Sequence, residues 1–145
     1  MRVEIRKVDS YEEEIAQISA VSISEDLQSA IDILENHSRA IPVQHEGETL
    51  LCPISRIYYI ESVDKRTYVY TKDGCYVTKY RLYELDDLLG LHFFRASKAM
   101  IVNLRKIRSV KAEINGRMVA QLLNGEKVII ARSCVKELKK RLGIV

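Results

Sequence analysis

Cysteine is too scarce and too scattered to organise this chain. Cys52, Cys75 and Cys134 are an odd number with no C-x-x-C pair, which excludes a disulfide framework and a zinc knuckle and leaves them as reduced, small apolar residues. The three histidines, His37, His45 and His92, have no partner at metal-ligand spacing, so no metal or other cofactor is expected. Long apolar runs are missing too: residues 57–60 and 128–131 are far too short to span a bilayer, and the start Met1-Arg2-Val3-Glu4-Ile5-Arg6 lacks the apolar core of a secretory signal. A cytoplasmic address is the expectation. Catalytic signatures are equally lacking, with no G-x-S-x-G, no glycine-rich phosphate loop and no H-E-x-x-H. Asp86-Asp87 is the one carboxylate pair beyond residue 40, and neighbouring helical residues diverge, so it reads as a solvated helix face rather than acid–base machinery. An enzyme is not expected.

What the chain does have is an uneven distribution of charge. The total of +3 over 145 residues divides into a net −5 over residues 1–40 and a net +8 over residues 41–145. Residues 95–145 alone hold thirteen Lys and Arg against three Asp and Glu, which points to a polyanionic partner for this end of the chain. An acidic segment, 1–40, is therefore set apart from a basic domain, 41–145.

In the acidic segment, residues 3–8 alternate apolar and polar and predict a strand, while residues 14–21 fit a strand or a helix equally well. Ser24 suits an N-cap, Glu25 and Asp26 suit the positive end of a helix dipole, and Leu27, Ala30, Ile31 and Leu34 recur at helical spacing. An amphipathic helix over 25–36 follows, closed by Asn36-His37-Ser38-Arg39.

Beyond residue 41 the pattern changes to short strands separated by turns. Residues 41–45 and 48–52 flank Glu46-Gly47; residues 57–63 and 67–71 flank Asp64-Lys65-Arg66; a further strand spans 75–79. A leucine-lined helix over 81–89 ends at Gly90. Residues 108–114, 117–123 and 127–130 predict a meander turned by Asn115-Gly116 and Asn124-Gly125, pairs that favour hairpins with positive φ at both central residues. A basic helix over 135–143 closes the chain.

Between these halves, residues 93–107 place an apolar run, Met100-Ile101-Val102, between cationic flanks. Such a stretch anchors in a core while holding Lys98, Arg105 and Lys106 at the rim. The cations collect at three places: Lys65 and Arg66 in a strand connection with Thr67 beside them, Lys98, and Arg132 with Lys136 and Lys139 after the last strand. Arginine's planar fork matches guanine O6 and N7, lysine suits phosphate, and threonine offers a methyl and a hydroxyl to a base edge, so loops of this kind suit duplex DNA. Single-stranded nucleic acid or RNA is the alternative, with Tyr68 and Tyr70 as stacking platforms. A protein-interaction or ligand-sensing β domain is another.

Taken in order, Tyr59-Ile60-Glu61-Ser62, Leu82-Tyr83-Glu84-Leu85, Phe94-Arg95-x-Ser97-Lys98-x-x-Ile101-Val102-Asn103-Leu104-x-x-Ile107, Leu123-Asn124-Gly125-Glu126, Arg132 and Leu138-Lys139 resemble the LytTR-type DNA-binding domain. That resemblance implies a mainly β fold with short helices (α+β), an elongated array of small antiparallel sheets, preceded here by a small strand and helix segment. It implies a bacterial transcriptional regulator whose loops enter successive major grooves and whose dimers bind paired direct repeats. It places base-reading positions at Thr67, Lys98 and Arg132 and loop-bracing positions at Arg95 and Asn103; Ser97, Ser133, Lys136 and Lys139, which neighbour these positions, complete the expected DNA-binding set. Family members often have His and Ser where this chain has Ser97 and Ala99, and Ser where it has Ala131. Forty residues are too few for a receiver domain, so a stand-alone regulator is expected, a homodimer through the 25–36 helix. The resemblance also allows a small membrane protein as a restraining partner.

Overall fold

The structure is a computed structural model that describes residues 1–10, 13–36 and 39–144. The chain divides into two compact units, 1–37 and 38–145. The expected helix boundary at His37-Ser38 lies outside the described residues.

In the first unit, helix α1 spans Glu25–Asn36, and Ser24 Oγ accepts from the Leu27 amide at 3.2 Å. Glu25 and Asp26 occupy its first turn, as the dipole favours. Leu27 is buried, whereas Ile33 and Leu34 are exposed. The strand expected at residues 3–8 is not formed: Val3 and Ile5 are exposed, and no strand among the described residues pairs with this stretch. Alternation marks a chain that could pair, but a lone strand has no ladder to satisfy its amides.

Among its described residues the second unit holds ten strands and two α-helices: β1 (Ala40–His45), β2 (Glu48–Pro53), β3 (Ile57–Val63), β4 (Arg66–Thr71), β5 (Cys75–Thr78), α2 (Leu82–Leu89), β6 (Phe93–Ser97), β7 (Met100–Asn103), β8 (Ile107–Ala112), β9 (Met118–Leu122), β10 (Lys127–Ile130) and α3 (Arg132–Leu142). Seven strands form one antiparallel sheet in the order β2-β1-β5-β4-β3-β7-β6, and β10-β9-β8 form a second. The fold is thus mainly antiparallel β with short helices, as the sequence indicated.

The larger sheet is covered on both faces around β6 and β7, which explains the consecutive apolar residues Phe93-Phe94 and Met100-Ile101-Val102. Phe93 and Ile101 belong to a core with Leu82, Leu85 and Leu89 of α2, whereas Phe94 and Val102 belong to a second core with Met118, Leu122, Ile130 and Leu138 of the small sheet and α3. Each fully buried aliphatic side chain contributes about 1.5–3 kcal/mol. The 93–97 and 100–103 segments are therefore fixed from both sides, and the turn between them is carried on a rigid base.

The four hairpin turns fall into two kinds, and the two Asn-Gly turns differ from the sequence expectation. The φ angles of Glu46 and Gly47 are 50° and 81°, and those of Asp64 and Lys65 are 50° and 66°, so these two hairpins have positive φ at both central residues. At Asn115-Gly116 and Asn124-Gly125 only the glycines are positive, at 86° and 89°. The Gly116 amide donates to Glu113 O at 3.2 Å and the Gly125 amide to Leu122 O at 3.0 Å, which makes these three-residue loops with the glycine as a left-handed exit.

Candidate nucleic-acid interface

The tip between β3 and β4 consists of Asp64 and Lys65, with Val63 paired to Arg66. Lysine tolerates a left-handed backbone poorly, so this tip needs support. Arg81 gives it, donating from its guanidinium to Lys65 O at 3.2 Å. Lys65 and Arg66 are both exposed. Thr67 is a correction: at 3 % exposure it pairs with Ser62 and Thr78 inside the sheet, because it falls on the face that β4 turns inward, and its hydroxyl is enclosed rather than offered to a groove.

Lys98 and Ala99 form the tip between β6 and β7, and Lys98 is exposed. Arg95 grips this tip from below. Its Nε donates to Ser97 O at 3.1 Å, one terminal nitrogen donates to Lys98 O at 3.1 Å, and the other meets Asp86 Oδ2 at 2.7 Å. Asp86 of α2 is thereby engaged, not a merely solvated helix residue. Ser97 Oγ accepts from the Ala99 amide at 3.2 Å. At the root of the hairpin, the buried Asn103 donates from Nδ2 to Ile57 O at 2.8 Å and accepts the Arg105 amide at 3.0 Å.

The third cationic element is α3, which begins at Arg132, a turn earlier than the expected 135–143. Arg132 and Ser133 therefore lie in its first turn and not in a loop, and both are exposed, as is Lys136; Lys139 is half-buried. Arg141 closes the other end, donating to Leu91 O with its guanidinium 5.9 Å from the Phe94 ring.

Two main-chain hydrogen bonds bring these three elements together. The Ser62 amide donates to Ala99 O at 2.8 Å, setting the Lys98 tip beside the end of β3 that leads into Asp64-Lys65. The Ala131 amide donates to Ala96 O at 2.8 Å, setting the start of α3 beside β6. Ala96 can accept because it is the extra residue of a β-bulge: Arg95 pairs with Ile101 and Ser97 with Met100, which leaves Ala96 outside the ladder. Neither bond involves a motif, and no sequence signal marked them.

The other cations are occupied differently. Lys106 sits 5.1 Å from the Tyr58 ring centre, and burial pushes its ammonium below the usual range. It is therefore less a free rim charge than the sequence suggested. Tyr70 stacks on Tyr59 with centroids 4.3 Å apart and planes at 11°, so one face of its ring is taken and it is a poor platform for an unpaired base. Burial pushes the Tyr70 phenol up to about 12 and the Tyr59 phenol further still, the latter helped by a hydrogen bond to Glu126. Among the described residues no group of side chains is arranged to hold a metal ion, and no helix is long and apolar enough to cross a membrane.

Comparison with known proteins agrees with this arrangement. Over 97 residues, 66 % of the chain, the sequence is 36 % identical to the transcriptional regulatory protein YpdB of Escherichia coli K12, of which it spans 40 %. It is 28 % identical over 134 residues to an uncharacterized HTH-type transcriptional regulator of Staphylococcus aureus, covering 91 % of each chain. A solved LytTr DNA-binding domain from Bacillus cereus superposes with a TM-score of 0.70 at 27 % identity, covering 74 % of this chain and 99 % of that one. The family model described as the LytTr DNA-binding domain matches residues 47–143, and the chain belongs to that family.

Proposed function

We propose that the protein is a sequence-specific regulator of transcription that reads the major grooves of double-stranded DNA and carries out no catalysis. The observation that carries this reading is the pair of main-chain hydrogen bonds, Ser62 to Ala99 and Ala131 to Ala96, which gather three exposed cationic elements of separate origin. Lys65, Arg66, Lys98 and Arg132 are the base and phosphate contacts, Ser97 and Ser133 add hydroxyls for phosphate, and Lys136 and Lys139 hold the DNA backbone. Arg95 and Asn103 brace the loops. Thr67 is left out because it is enclosed. The engaged face of Tyr70 disfavours the single-strand alternative.

The protein acts in the cytoplasm as a homodimer, for which the exposed Ile33 and Leu34 of α1 supply an apolar surface. Sedimentation of an Ile33→Glu, Leu34→Glu variant as an unaltered dimer would exclude α1 from that role.

The test of the main reading is selection of duplexes from a randomised pool, followed by titration of the selected and a scrambled duplex at two salt concentrations. A preference that survives the higher salt is expected. Arg132→Ala and Lys98→Ala should each lower specific binding by about 1–3 kcal/mol, whereas Lys136→Ala should weaken all duplexes alike. Equal affinity for both duplexes, collapsing with salt, would reduce the basic face to non-specific attraction.

A further inference from the structure

The meander contains two turns of the same design whose surroundings differ. Asn115-Gly116 and Asn124-Gly125 each end in a left-handed glycine, with φ of 86° and 89°, and each closes through a glycine amide bonded to the carbonyl three residues back. Around Gly125 nothing lies within 4 Å of the place a Cβ would occupy. At Gly116 that place is 3.2 Å from both Cγ and Nε of Arg132 and 3.3 Å from its Cδ.

The geometry points to Gly116 as a positioning residue for Arg132: the bare backbone of the β8–β9 turn is the bed on which this side chain lies. The inference rests on the proposed role of Arg132 in reading DNA and deepens it. The start of α3 is fixed by the Ala131 to Ala96 hydrogen bond, so the main chain of Arg132 has little freedom to adjust. Direction must then be set further along the side chain. With Cγ, Cδ and Nε held against the turn, the end of the guanidinium carrying the two terminal nitrogens remains to face a ligand. Among the described residues the Arg132 side chain makes no hydrogen bond or ion pair, so packing against Gly116 is what restricts its rotamers. Arginine otherwise loses considerable rotamer freedom on binding, and a preset direction lowers that cost and favours one base position over its neighbours.

A methyl group at residue 116 would push Arg132 aside without touching the core, since the nearest atoms belong to a flexible surface side chain. It also strains the turn, because an L-residue seldom adopts this φ. Gly125 supplies the matched control, having the same strain and no arginine.

The experiment compares Gly116→Ala with Gly125→Ala in the full chain, using the duplex selected from a randomised pool by the unsubstituted protein and a scrambled duplex of equal length. The expected result is a loss of about tenfold in the preference for the selected duplex with Gly116→Ala, within the discrimination one good base contact gives, and little change in preference with Gly125→Ala. In an Arg132→Ala background the Gly116→Ala change should have no further effect on preference. Equal losses from the two glycine substitutions, or a loss that persists without Arg132, would overturn the inference. Should Gly116→Ala fold poorly, Gly116→Asn introduces the same Cβ with a residue more tolerant of left-handed backbone, and the same comparison with Gly125→Asn applies. If the unsubstituted protein selects no sequence at all, the proposed function fails and the inference with it. If selection succeeds and the two glycines behave alike, the inference alone fails.

Discussion

Two lysine-bearing tips stand side by side on the larger sheet, and they are held in opposite ways. The Asp64-Lys65 tip is strained, with both residues in the left-handed region, and one hydrogen bond from Arg81 of the α2 cap supports it. The Lys98-Ala99 tip has no residue of positive φ, yet Arg95 of its own strand binds two of its carbonyls and reaches Asp86 as well. The first tip holds its shape mainly through a tight two-residue turn and the second through a side chain beneath it. A strained turn can be relaxed by changing one residue, whereas a braced turn fails only when its brace is removed.

The sharpest way to break this contrast is at the braces. Arg95→Ala should cost about 2 kcal/mol of stability, since it removes three charge-assisted contacts from a partly buried site, and should loosen the Lys98 tip. Arg81→Ala removes a single bond to an exposed carbonyl and should cost about 0.5 kcal/mol. Denaturant unfolding with amide exchange at residues 97–100 and 63–66 checks both; equal losses would dissolve the distinction.

Lys65→Gly tests the strain directly. Relief of the left-handed penalty, offset by the added freedom of glycine when unfolded, should leave a gain of about 0.5–1 kcal/mol in stability. Binding to DNA should nevertheless weaken, because the cation is gone. Lys98→Gly should show no such gain, and the difference in thermal midpoint between the two variants measures the strain.

The smallest effect appears only in alkali. The Tyr59 and Tyr70 phenols lie on β3 and β4 and have raised pKa values, Tyr70 at about 12, so the fold favours their neutral forms over those of the unfolded chain. That contribution is fully present below about pH 10 and is lost as the pH rises towards 12, the neutral form being the one the fold prefers. Tyr70→Phe should flatten part of the decline in stability between pH 10 and 12. Exchange should accelerate in β3 and β4 before it does in β6 and β7.

Most of the framework could be read from local pattern. The helix at Glu25–Asn36, the hairpin flanking Glu46-Gly47, the leucine-lined α2 and the three-stranded meander follow from spacing and turn residues, because those signals act between near neighbours. Residues 93–107 disclosed their anchored character because both faces of β6 and β7 are buried, which leaves an apolar run in the text. What escaped was set by distant partners. Alternation at residues 3–8 implied a strand, but alternation cannot supply the neighbour a strand needs. Thr67 stood at the edge of the expected strand beside the loop, but pairing of Val63 with Arg66 moves Arg66 into β4, shortens the loop by one position and leaves Thr67 inside the sheet. Asp86, Arg81 and Gly116 were inconspicuous because their partners are nine or more residues away, at Arg95, Lys65 and Arg132. The early start of α3 was missed because Arg132 and Ser133 belong to no apolar repeat.

The extra residue at Ala96 separates what is changeable in the proposed interface from what is not. Its carbonyl meets the Ala131 amide, and the Ala99 carbonyl meets the Ser62 amide, so the three cationic elements are spaced by main-chain atoms that every non-proline residue possesses. Lys65, Lys98 and Arg132 can therefore be exchanged for other side chains without altering the distances between them. If these positions contact DNA as proposed, a new sequence preference is open to substitution there, like new type set in an unaltered frame.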